Sequence, residues 1–146
     1  MRISIMGMGY VGAVSAGCLA SDGHLVVGVD PHATKVELIN QGVAPIVEKD
    51  INEIIRNQVA SGHLTATLDS VRAVHDTDMS LICVGTPSLM NGSLDLRFVR
   101  KVCEEIGTAL KSKDAFHLVV ARSTILPGTM RGVVIPILEQ YSNKVA

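Results

Sequence analysis

The sequence predicts an α/β fold, a doubly wound parallel sheet with helices on both faces, and three observations carry that reading. Short apolar runs rich in β-branched residues alternate along the chain with segments of helical period. Runs such as Leu25 to Val29 are apolar at successive positions, as strands covered on both faces tend to be. A glycine-rich turn, Gly7 to Gly12, stands between the first such run and the first helical segment. Strand and helix alternating in this rhythm give parallel units with crossover helices. The 146 residues amount to one ordinary domain.

Taken in order, Arg2 to Met6 reads as a buried strand that ends at Gly7. Tyr10 to Ser21 carries small and apolar residues at helical spacing, and Asp22-Gly23 supplies its stop. Leu25 to Val29 is the second strand, and Thr34 to Asn40 a helix closed by Gln41-Gly42. From Glu48 to Ala60, the residues Ile51, Ile54, Ile55 and Val59 form one apolar stripe that stops at Gly62. Thr65 to Leu68 is read as a short strand, Ser70 to His75 as a short helix, and Met79 to Val84 as a strongly apolar strand. Gly85 to Asp95 is a polar loop. Leu96 to Leu110 is a helix with Leu96, Val99, Cys103, Ile106 and Leu110 on one face. His117 to Ala121 is a further strand and Gly128 to Tyr141 a final helix, which Pro136 should kink or divide.

Composition narrows the function classes. Apolar residues make up 47% and charged residues 18%, enough for a core and unlike a disordered chain. Thirteen Lys plus Arg against fourteen Asp plus Glu leave a net charge of −1, which argues against a nucleic-acid or anionic-membrane surface. No apolar run reaches the roughly 18 residues of a membrane span, and the N-terminus lacks a signal-peptide layout. Cys18, Cys83 and Cys103 are odd in number and lie in apolar stretches, so core packing in a reducing cytoplasm is expected. His24, His32, His63, His75 and His117 are scattered without metal-ligand spacing and read as surface or turn histidines; no metal is expected.

Gly7-Met8-Gly9-Tyr10-Val11-Gly12 fits G-x-G-x-x-G between a strand and a helix. Gly7 permits the tight turn, Gly9 lets a pyrophosphate approach the backbone, and Gly12 lets helix and sheet pack closely. The helix start offers free N–H groups and a partial positive charge to an anion. Asp30 ends the second strand 18 residues after Gly12, where a carboxylate can accept both hydroxyls of an adenosine ribose. That carboxylate would repel a 2′-phosphate, and no Arg follows it in Pro31 to Thr34, so NAD is favoured over NADP. Together these features predict a Rossmann-like dinucleotide site. Thr86 and Ser123 stand in turns that follow two later strands, at the sheet end where ligands bind, although hydroxyls there also serve as turn caps.

Four segments, in order and in register, resemble the UDP-glucose/GDP-mannose dehydrogenase family. They are residues 1–30 with G-M-G-Y-V-G, INQGVAPIVE (Ile39 to Glu48), ICVGTPSLMNGSLDL (Ile82 to Leu96) and RSTILPGT (Arg122 to Thr129). The second and third look closer to the GDP-mannose branch, which feeds alginate synthesis, than to the UDP-glucose branch. The resemblance implies that the backbone around Tyr10 and Val11 holds the NAD pyrophosphate and that Asp30 and Lys35 reach its adenosine end. It also implies that Thr86 lies against the cofactor and Thr124 near the nicotinamide. The family oxidises a sugar-nucleotide alcohol to the acid with two NAD, through a cysteine-bound intermediate. Where the family often continues with Pro-Gly-Leu, this chain has Lys49-Asp50-Ile51, so the helix start there is expected to differ locally.

On this resemblance, residues 1–146 are the NAD-binding domain, and the central helical and C-terminal sugar-nucleotide-binding domains lie outside them. No catalytic residue is then expected in the chain, and the nucleotide-sugar substrate would be engaged only with those domains. The sheet is expected to be incomplete at its C-terminal edge, where Leu138 to Lys144 would lead into a sixth strand. The competing reading is a stand-alone, non-catalytic NAD-binding module acting through a partner; a homo-oligomer is compatible with either.

Overall fold

The computed structural model describes residues 1–146 and opens with β1 (Arg2–Met6), whose side chains divide between two cores. Ile3 and Ile5 join one apolar cluster and Met6 the other, so the strand is covered on both faces. The remaining elements are α1 (Tyr10–Ser21), β2 (Leu25–Val29), α2 (Ala33–Asn40), α3 (Ile51–Ala60), β3 (Leu64–Thr67) and α4 (Ser70–His75). They are followed by β4 (Met79–Ile82), α5 (Arg97–Lys111), β5 (Leu118–Ala121) and α6 (Ile135–Ser142). All pairings are parallel, in the order β3-β2-β1-β4-β5, with Met6 level with Val29 on one side and Ile82 on the other. This is the expected doubly wound sheet, with the chain crossing from β3 over to β4 beside β1.

Residues of α1, α2 and α3 fill one core (Ala13, Ala16, Ile39, Ile55), and residues of α4, α5 and α6 the other (Val74, Val99, Cys103, Ile106, Leu138). Each helix lays an apolar stripe on the sheet, and the strand ends are left facing outward as loops. β5 pairs only with β4, and none of its four residues is fully buried. No helix is long and apolar enough to cross a membrane.

Four departures from the sequence reading have physical reasons. The helix expected from Glu48 begins at Ile51, because Asp50 sits in the left-handed region (φ 64) and Glu48 is drawn off to accept the Tyr10 hydroxyl. The strand expected at Thr65 to Leu68 runs one residue earlier, which buries Leu64 and Ala66 and leaves Leu68 exposed. The final helix, by contrast, is divided as expected from Pro136: Met130–Val134 form a wide π-helical turn, and Pro136 falls in the first turn of α6. Cys18 is exposed on α1 rather than packed in the core.

The fourth departure is His117, which is half-buried and not a surface residue. Its Nε2 lies 2.8 Å from Ser80 Oγ, which in turn meets Ser4 Oγ at 2.6 Å, the two serines being level on β4 and β1. On the other side Lys113 Nζ is 3.1 Å from His117 Nδ1 and donates to the carbonyls of Val74, His75 and Thr77. Lys113 thereby closes the C-terminal end of α4, whose last carbonyls have no partner within the helix. Burial, reinforced by the neighbouring ammonium, pushes His117 down to about 4.

Candidate functional site

At the opposite end of the sheet, the chain leaves β1 through Gly7, whose φ of +98 only glycine adopts without strain. A Cβ on Gly12 would stand 1.8 Å from the Gly7 carbonyl oxygen, so the third glycine is required by the turn folding back on its own helix. Cys83 Cβ, on the sheet side, is farther off at 3.5 Å. Gly9 is different. A Cβ there would meet nothing within 4 Å, so protein packing does not demand a glycine at this position. Gly9 is also the N-cap of α1, with no side chain to satisfy the helix's leading N–H groups; the first helical bond is Ala13 N–H to Gly9 O. The open space and the unspent donors coincide, which is the arrangement an anion needs.

Beside this turn lies a cleft of about 280 Å³ lined by Gly9, Tyr10, Val11, Cys83, Val84, Gly85, Thr86, Arg122, Ser123 and Thr124. It joins three strand ends: the glycine turn after β1 and the loops after β4 and β5. The two loops are tied together, Thr86 Oγ1 donating to Thr124 O at 2.7 Å and Ser123 Oγ to Val84 O at 2.7 Å. The chain also turns sharply after β5, where Arg122 and Ser123 N–H both reach Ile82 O at 2.9 Å. Of the residues expected from the sequence, Gly9, Tyr10, Val11, Thr86 and Thr124 meet in this cleft. Arg122 is an addition; it lines the cleft as an exposed side chain with no ion-pair partner. Its place in the RSTILPGT segment is the signal that could have found it.

Asp30, Lys35 and Gly12 stand around the glycine turn but outside the cleft lining. Asp30 is 3% exposed, and its Oδ2 accepts the Met8 N–H at 2.9 Å, locking the end of β2 to the glycine turn. Oδ1 accepts the His32 N–H at 3.0 Å and His32 Nδ1 at 2.7 Å, while Lys35 Nζ donates to Oδ2 at 3.2 Å. Burial by itself would raise this carboxyl. The N–H groups of His32 and Met8, then the side chains of His32 and Lys35, outweigh it and hold the group below the usual aspartate value. Asp30 is therefore ionised at neutral pH. Met8 and His32 escape sequence reading because their roles lie in a backbone N–H and in a non-motif side chain. Tyr10 contributes more than backbone: its hydroxyl donates to Glu48, linking the glycine turn to the segment before α3.

Cys83 lines the cleft, but no thiol there is ionised at neutral pH. Burial drives both Cys83 and Cys103 up to about 11, and Cys18 lies eight residues along α1 from Tyr10, roughly 12 Å by helical rise.

Known proteins share this sequence pattern and this fold. The profile of the UDP-glucose/GDP-mannose dehydrogenase family, NAD binding domain, matches residues 1–146. GDP-mannose 6-dehydrogenase of Pseudomonas syringae pv. tomato is 55% identical over 146 residues, covering 100% of this chain and 33% of that one. A crystal structure of a ternary complex of GDP-mannose dehydrogenase from Pseudomonas aeruginosa superposes with a TM-score of 0.98 at 54% identity, over 99% of this chain and 33% of that one. A UDP-glucose dehydrogenase from Pyrobaculum islandicum gives a TM-score of 0.94 at 37% identity, over 98% and 33%. The chain thus spans about a third of the length of the curated relatives it matches.

Proposed function

The chain belongs to the UDP-glucose/GDP-mannose dehydrogenase family as its NAD-binding N-terminal third, and from that premise we propose that it serves a GDP-mannose 6-dehydrogenase and does not turn over by itself. The observation that carries the cofactor role is Gly9: an open face, unspent N–H donors and a cleft reaching Thr86 and Thr124 all meet at one glycine. The N-terminal end of α1 around Tyr10 and Val11 would hold the pyrophosphate, Asp30 and Lys35 the adenosine ribose, and Thr86 and Thr124 the nicotinamide end. NAD, when bound, supplies the hydride acceptor. The chain's own residues bind and orient: helix-start donors neutralise the diphosphate, and the Thr86–Thr124 hydrogen bond keeps the loops after β4 and β5 at fixed spacing.

Identity of 55% to a GDP-mannose enzyme against 37% to a UDP-glucose enzyme supports the GDP-mannose branch. The state of the thiols supports inactivity of the isolated chain. Cys83 lines the cleft but is buried and protonated, Cys103 is buried and protonated on α5, and Cys18 is remote, so no thiolate faces the cleft. A thermal shift experiment tests the proposal. NAD is expected to raise the midpoint of the 146-residue chain, as a ligand of the folded state must. GDP-mannose alone is expected to leave it unchanged, and the two together to yield no NADH. NADH formation from GDP-mannose by this chain would overturn the inactivity, and no shift with saturating NAD would overturn the cofactor site.

A further inference from the structure

This inference deepens the NAD reading above and rests on it. Of the residues that line the cleft, Arg122 alone carries a charge at neutral pH. The lining holds no carboxylate. Tyr10 is raised above its ordinary value by its bond to Glu48, and burial takes Cys83 up to about 11, so both stay neutral. The ion pairs of the molecule engage Arg2, His32, Lys35, Arg72 and Arg97, and none of them engages Arg122. Its backbone is nevertheless fixed, since the Arg122 and Ser123 N–H groups donate to Ile82 O at 2.9 Å and Ser123 Oγ to Val84 O at 2.7 Å. The charge is felt within the cleft: it pulls the Cys83 thiol down, against the larger effect of burial.

An unpaired cation acts differently on the two forms of the cofactor. Both forms carry the same diphosphate charge. The nicotinamide ring is a cation in NAD and turns neutral on gaining a hydride, that is, two electrons and one proton. That hydride leaves the alcohol carbon of the sugar nucleotide, whose hydroxyl releases a proton as the aldehyde forms. NADH is therefore one unit more negative than NAD, and a positive cleft without a carboxylate favours it. Arg122 stands two residues before Thr124, on the loop assigned to the nicotinamide end, so it acts where the charge changes. We propose that Arg122 is a specificity-determining residue that tips the cleft toward the reduced cofactor, so that NADH binds more tightly than NAD. By linkage, a site that prefers the reduced form favours hydride uptake by the same factor. Arg122 thus makes bound NAD a stronger hydride acceptor than free NAD.

Calorimetric titrations of the 146-residue chain with NAD, NADH and ADP-ribose, repeated on Arg122→Gln and Arg122→Lys, test this. The Arg122 side chain is exposed, so both variants are expected to fold with unchanged thermal midpoints. The unmodified chain is expected to prefer NADH over NAD by about fivefold, Arg122→Lys to keep that preference and Arg122→Gln to lose it. Added salt should shrink the preference in the unmodified chain and leave Arg122→Gln unaffected. Equal weakening of NAD, NADH and ADP-ribose in Arg122→Gln would place the guanidinium on the diphosphate and overturn the proposal. An unchanged ratio of NAD to NADH affinity in Arg122→Gln, or its loss in Arg122→Lys as well, would overturn it too while leaving the NAD site standing. Failure of the unmodified chain to bind either dinucleotide would overturn the NAD reading and this proposal with it.

Discussion

At the N-terminal end of the sheet, Lys113, His117, Ser80, Ser4 and Thr77 bond to one another and to the carbonyls of α4, and no buried side-chain nitrogen or oxygen in the molecule lacks a partner. At the C-terminal end, the α1 start, Thr86, Thr124 and Arg122 surround an open cleft. Both clusters are built from hydroxyls, backbone groups and a cation at strand ends. They differ in what is left over. The first spends its donors internally, on one another and on the carbonyls at the end of α4, so its polar groups are structural. The second keeps helix-start donors facing open space, and Asp30 is held partly by the more exposed side chains of His32 and Lys35. Polar content does not identify a binding site; exchangeable or unspent hydrogen-bonding capacity does.

Substitutions at the two ends should therefore separate stability from binding. The largest loss of stability is expected from Gly12→Ala, whose methyl would enter the Gly7 carbonyl at 1.8 Å; about 3 kcal/mol is expected in denaturant titration, with NAD binding lost as the turn distorts. Lys113→Met should cost about 2 kcal/mol by removing the ammonium donor shared by the carbonyls of Val74, His75 and Thr77 at the end of α4. That variant should bind NAD with unchanged affinity wherever it is folded, since Lys113 lies at the far end of the sheet. A substantial loss of affinity would erase the distinction between the two ends.

A pH titration probes the same contrast more gently. His117 is held near 4 in the fold, chiefly by burial and then by Lys113, against an ordinary value near 6.5. The unfolded chain then takes up the proton first, so this contribution is complete above about pH 6.5 and is lost as pH falls toward 4. Discounted for partial solvent screening, it amounts to roughly 1–2 kcal/mol. His117→Asn should flatten the stability profile in that window, measured by denaturant midpoints at a series of pH values. The smallest effect on stability belongs to Gly9→Ala, under about 0.5 kcal/mol because a Cβ there meets nothing. Its NAD affinity should nevertheless drop at least about tenfold, since that methyl would occupy the space a pyrophosphate needs. Tight NAD binding by this variant would remove the reason given for the glycine.

What could be read from the sequence follows the same division. Gly7, Gly9, Gly12 and Asp30 were legible because a turn, an approach and a carboxylate at fixed spacing each have a mechanical reason independent of tertiary context. The first three elements match residue for residue for the same cause: their limits are set by local glycines and by Asp22. The Ser4–Ser80–His117 chain was not legible, since Ser4 meets Ser80 across 76 residues and Ser80 meets His117 across 37. A serine in an apolar strand reads as a weak position until its neighbour on the next strand is known. The apolar stripe extends the signal for α3 backward to Glu48, while the left-handed Asp50 and the Tyr10–Glu48 bond make the helix begin at Ile51. Arg122 and Met8 entered the site through loop geometry and a backbone N–H, neither of which composition or period reveals.

The most direct test of the central claim, that the C-terminal end of this sheet is a working NAD site, is calorimetric titration with NAD of the chain and of Asp30→Ala, both shown to be folded. Saturable binding by the chain, weakened at least about tenfold in Asp30→Ala, is the predicted result. Equal binding by both, or none by the folded chain, would contradict it.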